Sequence, residues 1–258
     1  MLTVISPSKT LDFKSGSYHS HTTPFFATQI RELVGHMEKL SEKELGELMK
    51  ISPKLALLNH DRYQNFDFPF TLENSHQALL AFKGDVYQGI SVDDYRDEDF
   101  DFAQAHLRIL SGLYGLLRPL DLIQPYRLEM GLRVSGPWGK NLYQFWENII
   151  TDRIYQEVLE SKGDRVLVNL ASNEYFKAVH PKRLKSDVVN VHFKEKKDDG
   201  FKIIGIHAKR ARGVMADFII KNRINHAQEL KPFNLNGYEF NSTLSKEADW
   251  VFTRVSKS

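Results

Sequence analysis

Residues 165–177 read Arg165-Val166-Leu167-Val168-Asn169-Leu170-Ala171-Ser172-Asn173-Glu174-Tyr175-Phe176-Lys177. The first six are largely apolar, with two β-branched residues, and predict an interior strand. The polar residues that follow then stand at the strand's C-terminal end, where α/β proteins tend to place their sites. Asn169, Ser172, Glu174 and Tyr175 are therefore candidate catalytic groups, and Lys177 is a candidate anion contact. The same pattern also serves a plain helix cap, with Ser172 or Asn173 as cap and Glu174 in the first turn.

Working outward, residues 2–5 predict a second short buried strand. Apolar spacing predicts a helix over 26–40 through Ile30, Leu33, Val34 and Met37. A capping box at Ser41-Glu42-Lys43-Glu44 opens a second helix, and Pro53 starts a third. Residues 71–80 are helix-like. Residues 97–110 open with carboxylates and predict a helix closed at Gly112, and 141–160 predict one long amphipathic helix. Segments 188–193 and 201–208 flank Lys196-Lys197-Asp198-Asp199-Gly200 as a hairpin. A helix is expected over 211–224, with late strands at 238–240 and 250–255. Residues 14–24 read as a long surface loop. Early helices and late antiparallel strands predict a mixed α/β (α+β) fold. The expectation is one compact domain over 1–258, with a central mixed sheet and peripheral helices.

The 258 residues are 41% hydrophobic and 26% charged, a globular composition. There is no cysteine, which excludes a disulfide scaffold, a thiol nucleophile and a thiolate metal centre. Ten histidines are scattered without metal-ligand spacing, so neither a metal nor another cofactor is expected. No basic leader and no apolar run of about 20 residues stand out, so a cytoplasmic protein without membrane contact is expected. Net charge is only +2, but it is unevenly spread. Residues 177–223 hold 13 Lys and Arg against 5 Asp and Glu, while 93–101 hold six carboxylates against Arg96 alone. Such asymmetry suits an anionic partner, or simply solvated faces.

Four further motifs can carry chemistry. Ser6-Pro7-Ser8-Lys9-Thr10 follows the first strand and can place hydroxyls, amides and the Lys9 ammonium around an anion, without the glycines of a P-loop. At Phe82-Lys83-Gly84-Asp85-Val86-Tyr87, Gly84 allows a tight turn between apolar flanks that would leave Lys83 and Asp85 exposed at its tip, a surface ion pair or an anion contact. Residues 110–131 carry Ser111, Gly112, Gly115, Arg118, Tyr126 and Arg127. A helix ending at Gly112 followed by two glycines resembles a helix-hairpin-helix, whose glycine amides approach a DNA phosphate, although Gly112 and Gly115 are two residues apart and Pro119 falls early in the second helix. Lys209, Arg210 and Arg212 close an expected strand before a helix, a good phosphate-facing edge.

The strings ISPSKTLDF (5–13), LAFKGDVYQG (80–89), HLRILSGLYGLLRPLDLIQPYRLEMG (106–131), LYQFW (142–146), VNLASNEYFK (168–177) and AKRARGVMADFIIKNR (208–223) resemble the YaaA peroxide-stress protein family of bacteria. The likeness spans the chain and is weakest after about residue 240. It implies resistance to hydrogen peroxide through lowered free iron, DNA binding, a positively charged cleft and a helix-hairpin-helix, which falls here at 103–123. By motif position and charge, that cleft would be lined by Lys9, Lys83, Arg118, Arg127, Lys177, Lys209, Arg210 and Arg212.

The leading expectation is a peroxide-protective protein that binds DNA mainly through backbone phosphates. The alternative is an enzyme acting on a small anionic, nucleotide-like substrate, with Ser111, Tyr126, Asn169, Ser172, Glu174 and Tyr175 supplying hydrogen bonds or proton transfer. An iron-sequestering protein is disfavoured by the absent Cys and scattered His. A long basic groove would favour DNA, and a pocket of a few hundred Å³ containing Glu174 would favour a substrate.

Overall fold

The computed structural model describes residues 1–14, 16–198 and 200–255. Strands β1 (Leu2–Ile5) and β2 (Thr10–Leu11) precede helices α1 (Ala27–Met37), α2 (Glu42–Met49) and α3 (Pro53–Gln64). Next come β3 (His76–Gln77), α4 (Ala78–Ala81), β4 (Phe82–Lys83), α5 (Asp97–His106), β5 (Leu107–Ser111), β6 (Gly115–Leu117) and β7 (Leu122–Ile123). Helices α6 (Leu142–Trp146) and α7 (Ile149–Glu160) lead to β8 (Val166–Asn169), α8 (Asn173–Phe176), α9 (Pro181–Leu184), β9 (Asp187–Lys197) and β10 (Gly200–Lys202). The chain continues through α10 (Gly205–Lys221), β11 (Glu239–Phe240) and β12 (Asp249–Arg254).

The main sheet has the order β11-β12-β9-β8-β1-β5-β6, with β10 paired to β9. The five central strands β12, β9, β8, β1 and β5 run parallel, and antiparallel pairs stand only at the margins. In the centre, Thr3 of β1 lies between Leu107 of β5 and Val168 of β8. Every residue of β1 is buried, as expected of a strand covered on both faces. The class is mixed α/β. From β1 the chain next enters the sheet at β5, on one side. From β8 it proceeds through β9 to β12, on the other. The connections therefore diverge between β1 and β8, the position where open α/β sheets leave a crevice beyond the carboxyl ends of their strands.

Local signals account for the helices that formed where expected. Ile30, Leu33, Val34 and Met37 are the buried stripe of α1. Ser41 and Glu44 make the reciprocal capping box of α2, and Pro53 is the first residue of α3.

Several expectations are corrected. Residues 71–80 are not one helix, because His76 and Gln77 pair with β7. The 97–110 helix stops at His106, since the apolar run that follows is drawn into the sheet beside β1. The helix over 141–160 breaks at Glu147, whose φ of 40° no helix interior accepts. The segment 203–208 is not a strand. From Gly205 on its residues open α10, whose buried face begins at Ala208 and continues through Ala211, Met215 and Ile219. The late strands are antiparallel only in part: the β9–β10 hairpin and the β11–β12 pair run as expected, but β12 lies parallel to β9. Asp199 of the expected turn and Ser15 of the expected loop lie outside the described residues.

The helix-hairpin-helix expected over 103–123 does not form. After α5 the chain makes the antiparallel pair β5–β6, with Ile109 opposite Leu117. Both glycines are buried. A Cβ on Gly112 would meet the Leu128 carbonyl oxygen at 2.2 Å, and one on Gly115 the Trp146 ring at 2.7 Å. Their amides are closed to a phosphate. Two helices joined by a short turn are instead α2 and α3, where Lys50 takes a left-handed conformation (φ 52°, ψ 53°). Among the described residues no helix is long and apolar enough to cross a membrane.

Candidate functional site

β1 hands the chain to Ser6, and β8 hands it to 170–172. Because these strands are parallel neighbours, the two segments meet. The Ser172 amide donates to Ser6 Oγ at 2.8 Å, and the Ser6 hydroxyl donates to Ser172 Oγ at 3.3 Å. Asn169 shapes this meeting: its Oδ1 accepts the Ala171 amide at 2.9 Å and its Nδ2 donates to Asn190 Oδ1 at 2.9 Å. The Tyr87 hydroxyl donates to the Ser6 carbonyl at 3.1 Å.

A cavity of about 370 Å³ opens over this junction. Lys9, Lys209 and Arg212 bring positive charge to it, Asp85 and Glu174 bring carboxylates, and Ser6, Ser8, Thr10 and Ser172 bring hydroxyls. Pro7, Val86, Tyr87 and Tyr175 complete the lining. Gly84, at φ 117°, supplies the turn carrying Asp85. A Cβ there would meet Ser8 Oγ at 2.7 Å.

Arg212 and Lys209 reach the cavity because α10 lies directly on the backbone of 86–89. A Cβ on Gly213 would meet the Val86 carbonyl oxygen at 1.8 Å, and one on Gly89 the Arg210 carbonyl oxygen at 2.4 Å. The cations differ in how they are satisfied. Lys9 pairs with Glu129 Oε1 at 3.0 Å, and Arg127 shares that oxygen at 2.9 Å. Lys209 meets Asp85 loosely, at 3.9 Å. Arg212 makes no hydrogen bond or ion pair among the described residues, and its Nε is buried without a partner. Burial alone pulls the Arg212 pKa below its ordinary value. A partly desolvated guanidinium with no counter-charge is costly unless an anion joins it.

The structure divides the other sequence candidates. Glu174 is exposed at the rim, where its Oε1 accepts the Gly131 amide at 3.0 Å. The Tyr143 hydroxyl donates to the Glu174 carbonyl at 2.9 Å, and Lys177 stands 4.9 Å from the Tyr143 ring. Tyr175 is buried, and burial raises its pKa far above the ordinary phenol value. Ser111 and Tyr126 bond each other at 2.7 Å in the core, outside the lining. Lys83 lies on β4 opposite Thr10, also outside it. Arg118 is held by Asp121 at 2.8 Å and lies over Phe25. Arg210 lines a separate cavity with His207 and Arg254. Gly112 and Gly115 are core residues.

Ser6, Asp85, Tyr87 and Glu129 all fall within motifs of the sequence but gain a role only in the fold. Glu129 had a signal: Arg127 and Glu129 are two apart, the spacing that puts side chains on one side of an extended segment. Tyr87 had none, since its role depends on a carbonyl 81 residues away.

A larger cavity, about 610 Å³, lies at the opposite end of the sheet. Its lining includes Ser161 and Lys162, which hold the Met1 ammonium. Its arginines are already matched, Arg108 by Glu157 and Arg223 by Asp99. It therefore offers a small anion less than the β1–β8 cavity does.

The family model described as peroxide stress protein YaaA matches residues 1–244. A UPF0246 protein of Acaryochloris marina (strain MBIC 11017) is 55% identical over 254 residues, which is 98% of this chain and 100% of the relative.

Proposed function

This chain belongs to the peroxide stress protein YaaA family, and on that premise we propose that it protects by binding a small phosphate-bearing anion in the cavity between β1 and β8, in the cytoplasm. The observation that carries this reading is Arg212, half-buried in the cavity and lacking any protein counter-charge among the described residues. Lys209 and the Ser6–Ser172 pair would complete the cradle, with Lys9 beside it on Glu129. A cavity of 370 Å³ admits a small molecule and not a duplex, and the carboxylates Asp85 and Glu174 would repel a polyanion. Ser6, Ser172 and Glu174 are the groups there suited to move a proton on a bound substrate. Any effect on free iron would follow from this ligand rather than from storage, because among the described residues no three His, Asp or Glu side chains are grouped to hold a metal ion.

Calorimetric titration with inorganic phosphate tests the reading. Arg212→Ala should weaken binding roughly ten- to a hundred-fold, the scale of a charge-assisted hydrogen bond, with the melting temperature unchanged or raised. Unaltered phosphate affinity in the folded variant would sink it.

DNA binding is the second reading, favoured by the α2–turn–α3 pair. Its turn carries Lys50 in a left-handed conformation, and Ser52 makes no side-chain cap. The first amides of α3 thus lack a side-chain partner, an arrangement able to receive a backbone phosphate.

A further inference from the structure

The cavity holds more than a bare anion needs. Inorganic phosphate asks for cations and hydrogen-bond donors, and Arg212, Lys209 and the serine pair are enough. Two other sets of groups have no use for it.

The first is aromatic. Tyr87 and Tyr175 line the cavity, and both are buried. The Tyr87 hydroxyl donates to the Ser6 carbonyl at 3.1 Å. The two rings give the cavity apolar, planar wall, the kind of surface on which a heterocycle packs.

The second is acidic. Glu174 commits Oε1 to the Gly131 amide, and its Oε2 has no protein partner among the described residues. Asp85 meets Lys209 loosely, at 3.9 Å, and has no closer polar partner among the described residues. A carboxylate with free acceptor capacity in an anion site costs phosphate affinity. It is useful where the ligand also brings N–H or O–H donors.

Resting on the anion-site reading above, we infer that the ligand is a nucleoside monophosphate. Its phosphate lies with Arg212, its base packs against tyrosine ring surface, and its amino or ribose hydroxyl donors are read by Glu174 and Asp85. Glu174 is then a specificity-determining residue. The 370 Å³ volume falls within the roughly 300–1,000 Å³ of small-ligand pockets.

The test titrates the full chain with inorganic phosphate and with AMP, GMP, CMP and UMP in turn. At least one nucleotide should bind ten-fold or more tighter than phosphate. Glu174→Gln retains an oxygen for the Gly131 amide, and should weaken that nucleotide about ten-fold while leaving phosphate equal or slightly tighter. Asp85→Asn, a second variant remote from Gly131, should act in the same direction. If phosphate binds and no nucleotide binds tighter, the inference falls and the anion site stands. The inference falls in the same way if both variants leave nucleotide affinity unchanged. If neither phosphate nor any nucleotide binds, the anion site falls with it.

Discussion

Arg212 shows how far one residue's meaning depends on its surroundings. In sequence it reads as the third cation at the end of a strand, close to a helix N-terminus that would disfavour it. In the fold it is the eighth residue of α10, so the dipole argument lapses and burial takes its place. Lys9, by contrast, reads as an anion ligand and already has one in Glu129. His106 offers a test away from the site. It is buried, with Nδ1 2.8 Å from the Met1 carbonyl oxygen. Burial is the main cause lowering its pKa, with nearby positive charge adding to it and the Met1 carbonyl opposing. The unfolded chain takes up a proton near pH 6.5 while the folded chain resists it. Stability is therefore fully present above that pH and is lost progressively as pH falls through the window below it. His36 and the buried Met1 ammonium, lowered to about 6, act in the same sense. The urea midpoint should fall between about pH 7.5 and about pH 5, and less steeply in His106→Gln. Parallel pH profiles for the two proteins would contradict this account.

Among the elements, α10 brings two of the cavity's cations, Lys209 and Arg212. Its buried stripe faces the sheet, and at Gly213 it touches the backbone of 86–89 with no room for a side chain. Gly213→Ala adds no strain to a helix and is intrinsically favourable there, so any loss comes from the forced separation. We expect about 1–3 kcal/mol of destabilisation together with weakened phosphate binding, as Arg212 and Lys209 move with the helix. Wild-type stability by urea unfolding would show that the helix does not press on that backbone. The start of α10 also marks where reading by element fails. Segment 203–208 holds three isoleucines and a glycine, too short a run to separate strand from helix by period. Helices α1, α2 and α3 were legible because a full apolar stripe, a capping box and an N1 proline are local signals.

For the whole molecule, the uneven charge acquires a partly internal explanation. The acidic island and the end of the basic segment meet: Asp99 pairs with Arg223 at 2.8 Å and with Lys221 at 3.5 Å. The excess positive charge of 177–223 is thus not one continuous surface for a polyanion. If duplex DNA binds at the α2–α3 turn, log affinity should fall with log salt by roughly 0.9 per phosphate contact. Lys50→Glu and Lys54→Glu should weaken that binding, and Arg212→Ala should leave it unchanged in filter-binding assays. Loss through Arg212→Ala alone would relocate the contact to the cavity. From sequence alone came the family, the mixed α/β class, the interior strands at 2–5 and 165–170, and the polar segments that follow them, because each rests on residues within a few positions of one another. Which of those segments share a cavity was decided only by the tertiary structure. Ser6 and Ser172 are 166 residues apart and meet because β8, rather than another strand, lies beside β1. Strand order is a property of the packed sheet, summed over contacts too distant along the chain for any local pattern to record.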